Sequence, residues 1–403
     1  MRLAAGRLLA RPWPIWTVAG IFAFRDVLLN IFVGDRPDAR NWWLAGRAFL
    51  SDPGGLYPLT AQLVAQNGLV IPGQAGFLGP PLQVVIAAPF ALIPEPTAVA
   101  IWTLIDGLCL LGALLVLYRV VRPEHPATRA LYWLVAAYFP PLFAEVNAGQ
   151  RGGLILILAL AAFALEERPL LAGLAGGLSA SLKFYSLALV LAGRVRFGLA
   201  LAVSFTLSLA LSFIPFGDPR IYVMGVLLPA ATVSTPDCAI TSVASLWQRT
   251  VGGKPYALPG PSGLVSLQTP VHLPVLATLL TVLTLAAVVA GAVWAARRSG
   301  WNPHYGMLLG LALGALVPSE VYPYQWLPLL PLALAVAVRA ADARAWLTLA
   351  LVGVALLGFV RQPCELPFPN LWTLAGLAAF AVGVWHHEFF RSDSSALSGG
   401  GEG

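Results

Sequence analysis

The sequence predicts an all-α fold, a polytopic transmembrane bundle of about twelve helices, because long apolar runs recur along it. Of the 403 residues, 58% are hydrophobic and 10% are charged, whereas a soluble domain carries roughly 25% charged residues. Runs of ~20 apolar residues are long enough to cross about 30 Å of hydrocarbon. Each must satisfy its own backbone hydrogen bonds and is therefore expected to be helical. A β-barrel would instead show short alternating segments.

The candidate spans place both termini on the same side of the membrane. Arg2, Arg7 and Arg11 precede the first span and put the N-terminus in the cytoplasm by the positive-inside rule. The arginine pairs at 194/196, 297/298 and 339/344 then also face inward. The candidate spans are 14–33, 80–94, 97–120, 130–146, 151–166, 169–193, 197–216, 272–296, 304–319, 325–340, 345–360 and 368–387.

One region allows two topologies. Strict counting puts the loop 119–129 outside, although it carries three arginines. The segment 80–94 is short and interrupted by a proline, so it is either a span or a re-entrant segment. If it is re-entrant, 119–129 faces inward, 147–151 faces outward, and the run 169–193 bends back near Lys183. The sequence leaves both topologies open.

The chain is expected to form a single transmembrane domain over residues 1–391, followed by a disordered Ser/Gly-rich tail, 392–403. Two long loops fall on the outer face in either topology, at 34–79 and 217–271. Amphipathic stretches in these loops predict helices lying in the membrane interface, with aromatic groups at headgroup depth. These stretches are 41–50, 221–228 and 242–251.

Charge and cysteine content limit the partners. The net charge of +6 suits cytoplasmic loops that face anionic membrane lipid. No basic run lies on a soluble domain, so nucleic acid is not an expected partner. Cys109, Cys238 and Cys364 are far apart and lack the spacing of metal ligands. The sequence does not favour a disulfide between Cys238 and Cys364, although both lie in predicted outer loops.

Asp35 and Asp38 follow the first span, in the stretch G-D-R-P-D-A-R-N-W-W. One interpretation is an ordinary solvated loop, in which the carboxylates lie beside Arg36 and Arg40. The other is catalytic, because a carboxylate at the boundary between water and lipid can abstract a proton from a hydroxyl group. Charge alone favours the solvated loop, whereas the placement supports the catalytic interpretation.

Polar residues interrupt the apolar runs at two places. Lys183 lies inside a run, where a lysine costs at least ~2.5 kcal/mol on insertion scales. Snorkelling suits it less well because it is far from either end, so a partner anion such as a lipid phosphate is favoured. Asn147 and Gln150 belong to a polar cluster between two apolar segments. That cluster either caps helix ends or faces a cavity.

The stretch 318–326, P-S-E-V-Y-P-Y-Q-W, follows a short apolar segment on the outer side. It offers Glu320, Tyr322, Tyr324 and Gln325. An interfacial aromatic belt would explain the tyrosines, but Glu320 is unusual in a belt, so a belt and a functional role are both kept. The sequence contains no glycine-rich phosphate loop and no metal-binding motif, so no cofactor or metal is expected.

Four motifs follow one another along the chain. The first is D-x-x-x-W-x-x-A-x-x-A from residue 38, with L-Y at 56–57. The second is F-L-G-P-P at 77–81. The third is G-Q at 149–150, A-G-L at 172–174 and L-K at 182–183, and the fourth is the stretch 318–326. Together they resemble glycosyltransferase family 87 of the GT-C superfamily, which includes mycobacterial phosphatidylinositol mannoside mannosyltransferases and cell-wall arabinofuranosyltransferases.

The chain departs from this family at two motifs. Gly79 stands where a tyrosine is usual in the second motif, and Tyr324-Gln325 stand near the place of a usual histidine in the fourth. No residue of this chain is therefore assigned the role of that histidine.

The resemblance implies inverting transfer of a sugar from a polyprenyl-phosphate donor to a lipid-linked or glycan acceptor on the outer leaflet. By position, Asp38 would be the base that deprotonates the acceptor, and Lys183 and Arg40 would bind the donor phosphate. Mannose is the favoured sugar and arabinofuranose the next. The remaining substrate-binding residues would be Asp35, Tyr57, Asn147, Gln150, Glu320, Tyr322, Tyr324 and Gln325.

The main alternative from another class is a polytopic transporter or flippase of a lipid or glycan precursor. Transporters commonly carry an inverted repeat with Gly/Pro-broken helices at matched positions, and the sequence shows no matched pair. Long outer loops with interfacial helices suit an enzyme that acts on two lipids. We therefore expect a multi-pass enzyme of a bacterial plasma membrane with an extracytoplasmic active site.

Overall fold

The computed structural model describes residues 13–29, 33–51, 56, 79–228, 238–260, 263–318, 321–359, 364 and 370–390. These residues form sixteen α-helices and one β-hairpin, which confirms the predicted all-α bundle. The helices are α1 (Trp13–Phe22), α2 (Pro37–Ser51), α3 (Pro81–Ala87), α4 (Glu95–Val121), α5 (Pro126–Tyr138), α6 (Pro140–Ala148), α7 (Gly152–Ala164), α8 (Pro169–Leu182), α9 (Val195–Phe213), α10 (Pro219–Tyr222), α11 (Val243–Thr250), α12 (Pro274–Arg298), α13 (Pro303–Leu316), α14 (Leu330–Asp342), α15 (Trp346–Leu357) and α16 (Leu371–Trp385).

Shorter helical turns extend or connect these helices. The 3₁₀ segments are Phe90–Leu92, Phe184–Ala192, Ile214–Phe216, Pro323–Leu329 and His387–Phe390, and the π-helical turns are Ala23–Leu28 and Val223–Leu227. The hairpin pairs β1 (Tyr256–Gly260) with β2 (Gly263–Leu267) in antiparallel register, with Tyr256 opposite Leu267.

Within the described ranges, four helical stretches are long and apolar enough to cross a membrane: Glu95–Val121, Val195–Phe216, Pro274–Arg298 and Pro323–Asp342. The stretch Pro323–Asp342 and the helix α13 are almost wholly buried and form the centre of the bundle. By contrast, α9 exposes an apolar side chain every four residues, at 195, 199, 203, 207 and 211. An exposed apolar stripe of this length is unfavourable in water and fits contact with lipid.

The arginine-bearing loops meet at one end of the bundle. The guanidinium of Arg194 donates to the backbone oxygen of Glu166 at 2.6 Å, and the Glu166 carboxylate lies 3.1 Å from His304 Nε2. The backbone N–H of Glu124 donates to Asp342 Oδ2 at 3.4 Å. We call this the arginine-rich end; it comprises the loops 122–125, 165–168, 193–194, 299–302 and 343–345. The loop 119–129 therefore lies with the other arginine loops, as the re-entrant topology requires.

The candidate span 80–94 does not cross the bundle. Its helix α3 has seven residues and rises only about 10 Å at ~1.5 Å per residue. The chain then turns through Phe90–Leu92 and starts α4 at Glu95, which pairs with Arg40 of α2 (Nε–Oε1 3.1 Å). The segment thus returns to the end of the bundle that holds α2, and its interpretation as a span is wrong.

The run 169–193 is not one helix but two segments that meet at Lys183. The helix α8 ends at Leu182, and Phe184–Ala192 continues as a 3₁₀ segment. That segment runs antiparallel to α13, because Gly306 faces Leu191, Gly310 faces Ala188 and Gly314 faces Tyr185. A Cβ atom on any of these glycines would collide with the 3₁₀ segment. Lys183 therefore sits at a turn, at the end of the bundle opposite the arginine-rich end.

The predicted amphipathic helix in the first loop is present as α2, and its tryptophans are buried within the protein. Trp42 and Trp43 are buried against α3 and the turn that follows it. Trp42 Nε1 donates to the backbone oxygen of Gln83 at 2.7 Å, and Trp43 Nε1 donates to that of Ile93 at 3.1 Å. Each indole removes roughly 150–250 Å² from solvent, so α2 is anchored by packing.

A disulfide joins Cys238 to Cys364, a pairing that the sequence left possible but did not favour. A separation of 126 residues along the chain gives no information about distance in space. The two loops meet because Thr241 bonds to Val321 (N–O 2.8 Å) and to Thr373 at the start of α16. The disulfide lies at the end opposite the arginine-rich end.

Candidate active site

Asp38, Gln150 and Arg151 form a chain of hydrogen bonds at the end opposite the arginine-rich end. The side-chain amide of Gln150 donates to Asp38 Oδ2 at 2.5 Å. The amide oxygen of Gln150 accepts from Arg151 Nη2 at 3.0 Å. Asp38 is half-buried in the first turn of α2, so its carboxylate is oriented by Gln150 and is still partly accessible.

The turn at Gly149 places Gln150 beside Asp38. Gly149 ends α6 with a φ of 67°, a left-handed conformation that glycine adopts without strain. A Cβ atom there would lie 2.7 Å from Ala39 Cβ, so α2 approaches this turn very closely. The backbone oxygen of Gln150 accepts from Trp102 Nε1 at 3.1 Å, and this bond ties the turn to α4.

Lys183 adds a second cation to this cluster. Its Nζ lies 5.2 Å from the ring centroid of Tyr324 and 5.7 Å from that of Tyr185, within cation–π range. It interacts electrostatically with Glu145, Arg151 and Asp38. Among the described residues, no carboxylate lies within ion-pair distance of Nζ. Its charge is therefore balanced by aromatic faces and by more distant carboxylates.

The stretch after α13 brings its tyrosines to the same place. The rings of Tyr322 and Tyr324 stack at 5.9 Å with an interplanar angle of 7°, and Tyr324 also interacts electrostatically with Asp38. Gln325 Oε1 accepts from the backbone N–H of Tyr322 at 3.0 Å. The side-chain oxygen of Gln325 thus caps the first turn of the 3₁₀ segment Pro323–Leu329.

Arg40 and Asp35 stand apart from this cluster. Arg40 Nε lies 3.1 Å from Glu95 Oε1, and Arg40 Nη1 lies 3.5 Å from Asp35 Oδ1. The Asp35 side chain is 81% exposed, and such exposed pairs contribute little to stability. Partial burial and the neighbouring guanidinium of Arg40 lower the pKa of Arg36. The contacts of Arg40 connect α2 to the start of α4.

Three other predicted site residues contribute less to the described geometry. Asn147 offers its backbone oxygen, which accepts from the N–H of Arg36 at 3.1 Å. Tyr57 and Glu320 lie outside the described residues, so their predicted roles stay predictions.

Two buried carboxylates in this region were not predicted. Asp106 of α4 and Glu145 of α6 are 5% and 2% exposed, and both bind backbone N–H groups at the start of α7. Both lie within apolar runs, where ionisable residues mark function by default. Like Lys183, both are conspicuous in the sequence as ionisable residues inside apolar runs.

The cluster suits proton transfer next to a phosphate. Asp38 is an accessible acceptor for a hydroxyl proton, and Lys183 and Arg151 provide cations for a developing anion. Among residues 79–228 and the other described ranges, no group of three His, Cys, Asp or Glu side chains is arranged to hold a metal ion.

Comparison with known proteins identifies the family of the chain. The family model described as glycosyltransferase family 87 matches residues 77–321, which include Asp106, Glu145, Gln150 and Lys183. Asp38 precedes the matched region. No curated protein sequence matches the chain significantly. Because the match spans more than half of the chain, and because the fold is a bundle of apolar helices, the protein is a membrane glycosyltransferase that belongs to glycosyltransferase family 87, a GT-C type family.

Proposed function

We propose that the protein transfers a sugar, with mannose favoured, from a polyprenyl-phosphate donor to a lipid-linked or glycan acceptor. The observation that carries this proposal is the Asp38 carboxylate, held by Gln150 at 2.5 Å within a cluster that contains Lys183 and Arg151. A base beside two cations matches a hydroxyl acceptor and a phosphate leaving group.

The proposed reaction is a single displacement with inversion. Asp38 takes the proton of the acceptor hydroxyl, and the acceptor oxygen attacks the anomeric carbon of the sugar. The bond between that carbon and the phosphate oxygen breaks, and its electron pair leaves with the polyprenyl phosphate. Lys183 and Arg151 stabilise the added negative charge of the leaving group, which is greater in the transition state than in the donor.

A sugar-transfer assay that compares three donors tests this function directly. Purified protein is incubated with radiolabelled polyprenyl-phosphate mannose, polyprenyl-phosphate arabinofuranose or a nucleotide sugar, together with a crude lipid extract. We expect label from polyprenyl-phosphate mannose to appear in a new glycolipid or glycan product. Transfer from the nucleotide sugar alone would contradict the donor class. Movement of labelled lipid across vesicles without any product would favour the flippase.

We further propose that the protein crosses a bacterial plasma membrane many times and that the cluster faces the extracytoplasmic side. Two independent observations support this orientation. Arginines collect at the other end, as cytoplasmic loops require, and the Cys238–Cys364 disulfide lies at the end of the cluster. Disulfides persist in oxidising compartments and are rare in the cytoplasm.

Cysteine labelling on intact cells tests the orientation. In a Cys109→Ser background, Asp218→Cys is expected to react with a membrane-impermeant maleimide, because Asp218 is exposed and follows α9 at the end of the cluster. Arg196→Cys, at the start of α9, is expected to react only after permeabilisation. The reverse pattern would place the cluster in the cytoplasm and would rule out transfer on the outer leaflet.

A further inference from the structure

The first turn of α7 is held by carboxylates from two other helices. Glu145 Oε1 of α6 accepts from the N–H of Gly152. The two oxygens of Asp106, on α4, accept from the N–H groups of Gly153 at 3.3 Å and Leu154 at 2.9 Å. The first N–H groups of a helix lack partners within it. Here the residue before the helix, Arg151, provides no side-chain cap.

Two buried carboxylates are an unusual means of capping one helix. A single Ser, Thr, Asn or Asp next to the first turn is the ordinary solution, and ionised groups inside a membrane bundle are costly. The positive end of the α7 dipole faces both carboxyl groups. Arg151 interacts electrostatically with both, and Lys183 interacts with Glu145. The two carboxyl groups therefore connect the start of α7 to the basic residues of the cluster.

The fit between the carboxylates and α7 is close. A Cβ atom on Gly152 would lie 2.6 Å from the carboxyl carbon of Glu145, and a Cβ atom on Gly153 would collide with Asp106. Only glycine at both positions allows this approach. The two carboxyl groups therefore pack directly against the first turn of α7.

Gln150, which contacts the proposed base, lies just before the start of α7. Gln150 and Arg151 immediately precede Gly152, and the backbone N–H of Gln150 also donates to the backbone oxygen of Glu145 at 3.2 Å. Resting on the proposed role of Asp38 as base, we propose that Asp106 and Glu145 are positioning residues for sugar transfer. By holding the first turn of α7, they keep the Gln150 amide on Asp38 Oδ2 and the Arg151 guanidinium on Gln150.

A double-mutant cycle with Gln150 tests this role. Asp106→Asn keeps the side-chain volume but turns an N–H donor toward a backbone donor, because both Asp106 oxygens accept from α7. Glu145→Leu has a similar volume and removes the acceptor for the Gly152 N–H. We expect each to lower kcat by about 10–100-fold through misplacement of the base, with the donor KM changed by less than about 3-fold. In a Gln150→Ala background the same substitutions should lower kcat by less than about 3-fold, since the positioned group is already gone.

Two further variants separate positioning from general damage to the fold. Thr103→Val removes a buried hydrogen bond to Val99 within α4, one turn before Asp106, and should leave kcat within about 2-fold of the parent. Gly152→Ala displaces Glu145 from the other side of the same contact and should reproduce the loss of kcat.

The result that overturns the proposal is an additive one. If Asp106→Asn lowers kcat equally with and without Gln150, the carboxylates act on the fold and not on the base. The proposed function fails separately: Asp38→Asn with normal activity would remove the base, whatever the cycle shows.

Discussion

Asp38→Asn is expected to lower kcat for sugar transfer by roughly 10²–10⁴-fold, the usual contribution of a general base. The amide has the size of the carboxylate, and its oxygen can still accept from Gln150, so the local structure should be kept. It cannot accept the acceptor's proton at neutral pH. The measurement is single-turnover transfer from polyprenyl-phosphate mannose by purified protein, with thermal unfolding in detergent as the check on folding.

Two matched variants identify the carboxylate that acts. Asp218→Asn removes an exposed carboxylate that caps α10 through the N–H of Arg220 at 2.8 Å, and should retain nearly full activity. Asp35→Asn removes the carboxylate that pairs with Arg40 outside the cluster, and should lose far less activity than Asp38→Asn. A severe loss in Asp35→Asn with normal activity in Asp38→Asn would reassign the base to Asp35.

Lys183→Ala is expected to lower kcat/KM for the donor by roughly 10²–10³-fold, because it removes a cation directed at the charge that develops on the leaving phosphate. Arg151 remains and should preserve some stabilisation. The acceptor KM should change little, since Lys183 contacts the tyrosine rings and not Asp38 itself. Initial rates at varied donor and varied acceptor concentrations separate the two effects.

The matched control is Lys254, the other lysine of the chain. It is exposed in the second loop, and Lys254→Ala should leave both kinetic parameters unchanged. Lys183→Arg keeps the charge on a bulkier group and should recover part of the donor efficiency. If Lys183→Ala instead raised the acceptor KM alone, Lys183 would bind the acceptor and not the donor phosphate.

The sequence predicted the bundle well and its internal turns poorly. Hydrophobicity identifies a helix such as α12 because most of its 25 residues are apolar. Hydrophobicity cannot distinguish a span from a segment that turns back. The sequence therefore predicted α8 and the 3₁₀ segment Phe184–Ala192 as one run through Lys183. The polar residue inside the run marked the turn, and the re-entrant topology placed a bend there. Likewise, the pairing of Cys238 with Cys364 depends on which loops meet in space, which local sequence does not encode.

Part of the site was predicted because polar residues in apolar surroundings are conspicuous. Gln150, Lys183 and Tyr324 were singled out for that reason or by family resemblance, and they lie around Asp38. Arg40 was assigned to the donor phosphate from its position in the motif, and that role stays a prediction. Its contacts with Glu95 of α4 and with Asp35 depend on how helices meet in space, which sequence alone does not reveal.

The glycines of α13 also limit how the protein can be engineered. Alanine favours a helix over glycine by roughly 1 kcal/mol, so helical glycines are common targets for thermostabilising membrane enzymes. At Gly306, Gly310 and Gly314 the added methyl group would push away the segment Phe184–Ala192, and with it Lys183. Gly353 of α15 faces open space, so a stabilised variant should be sought there first, with the three glycines of α13 retained.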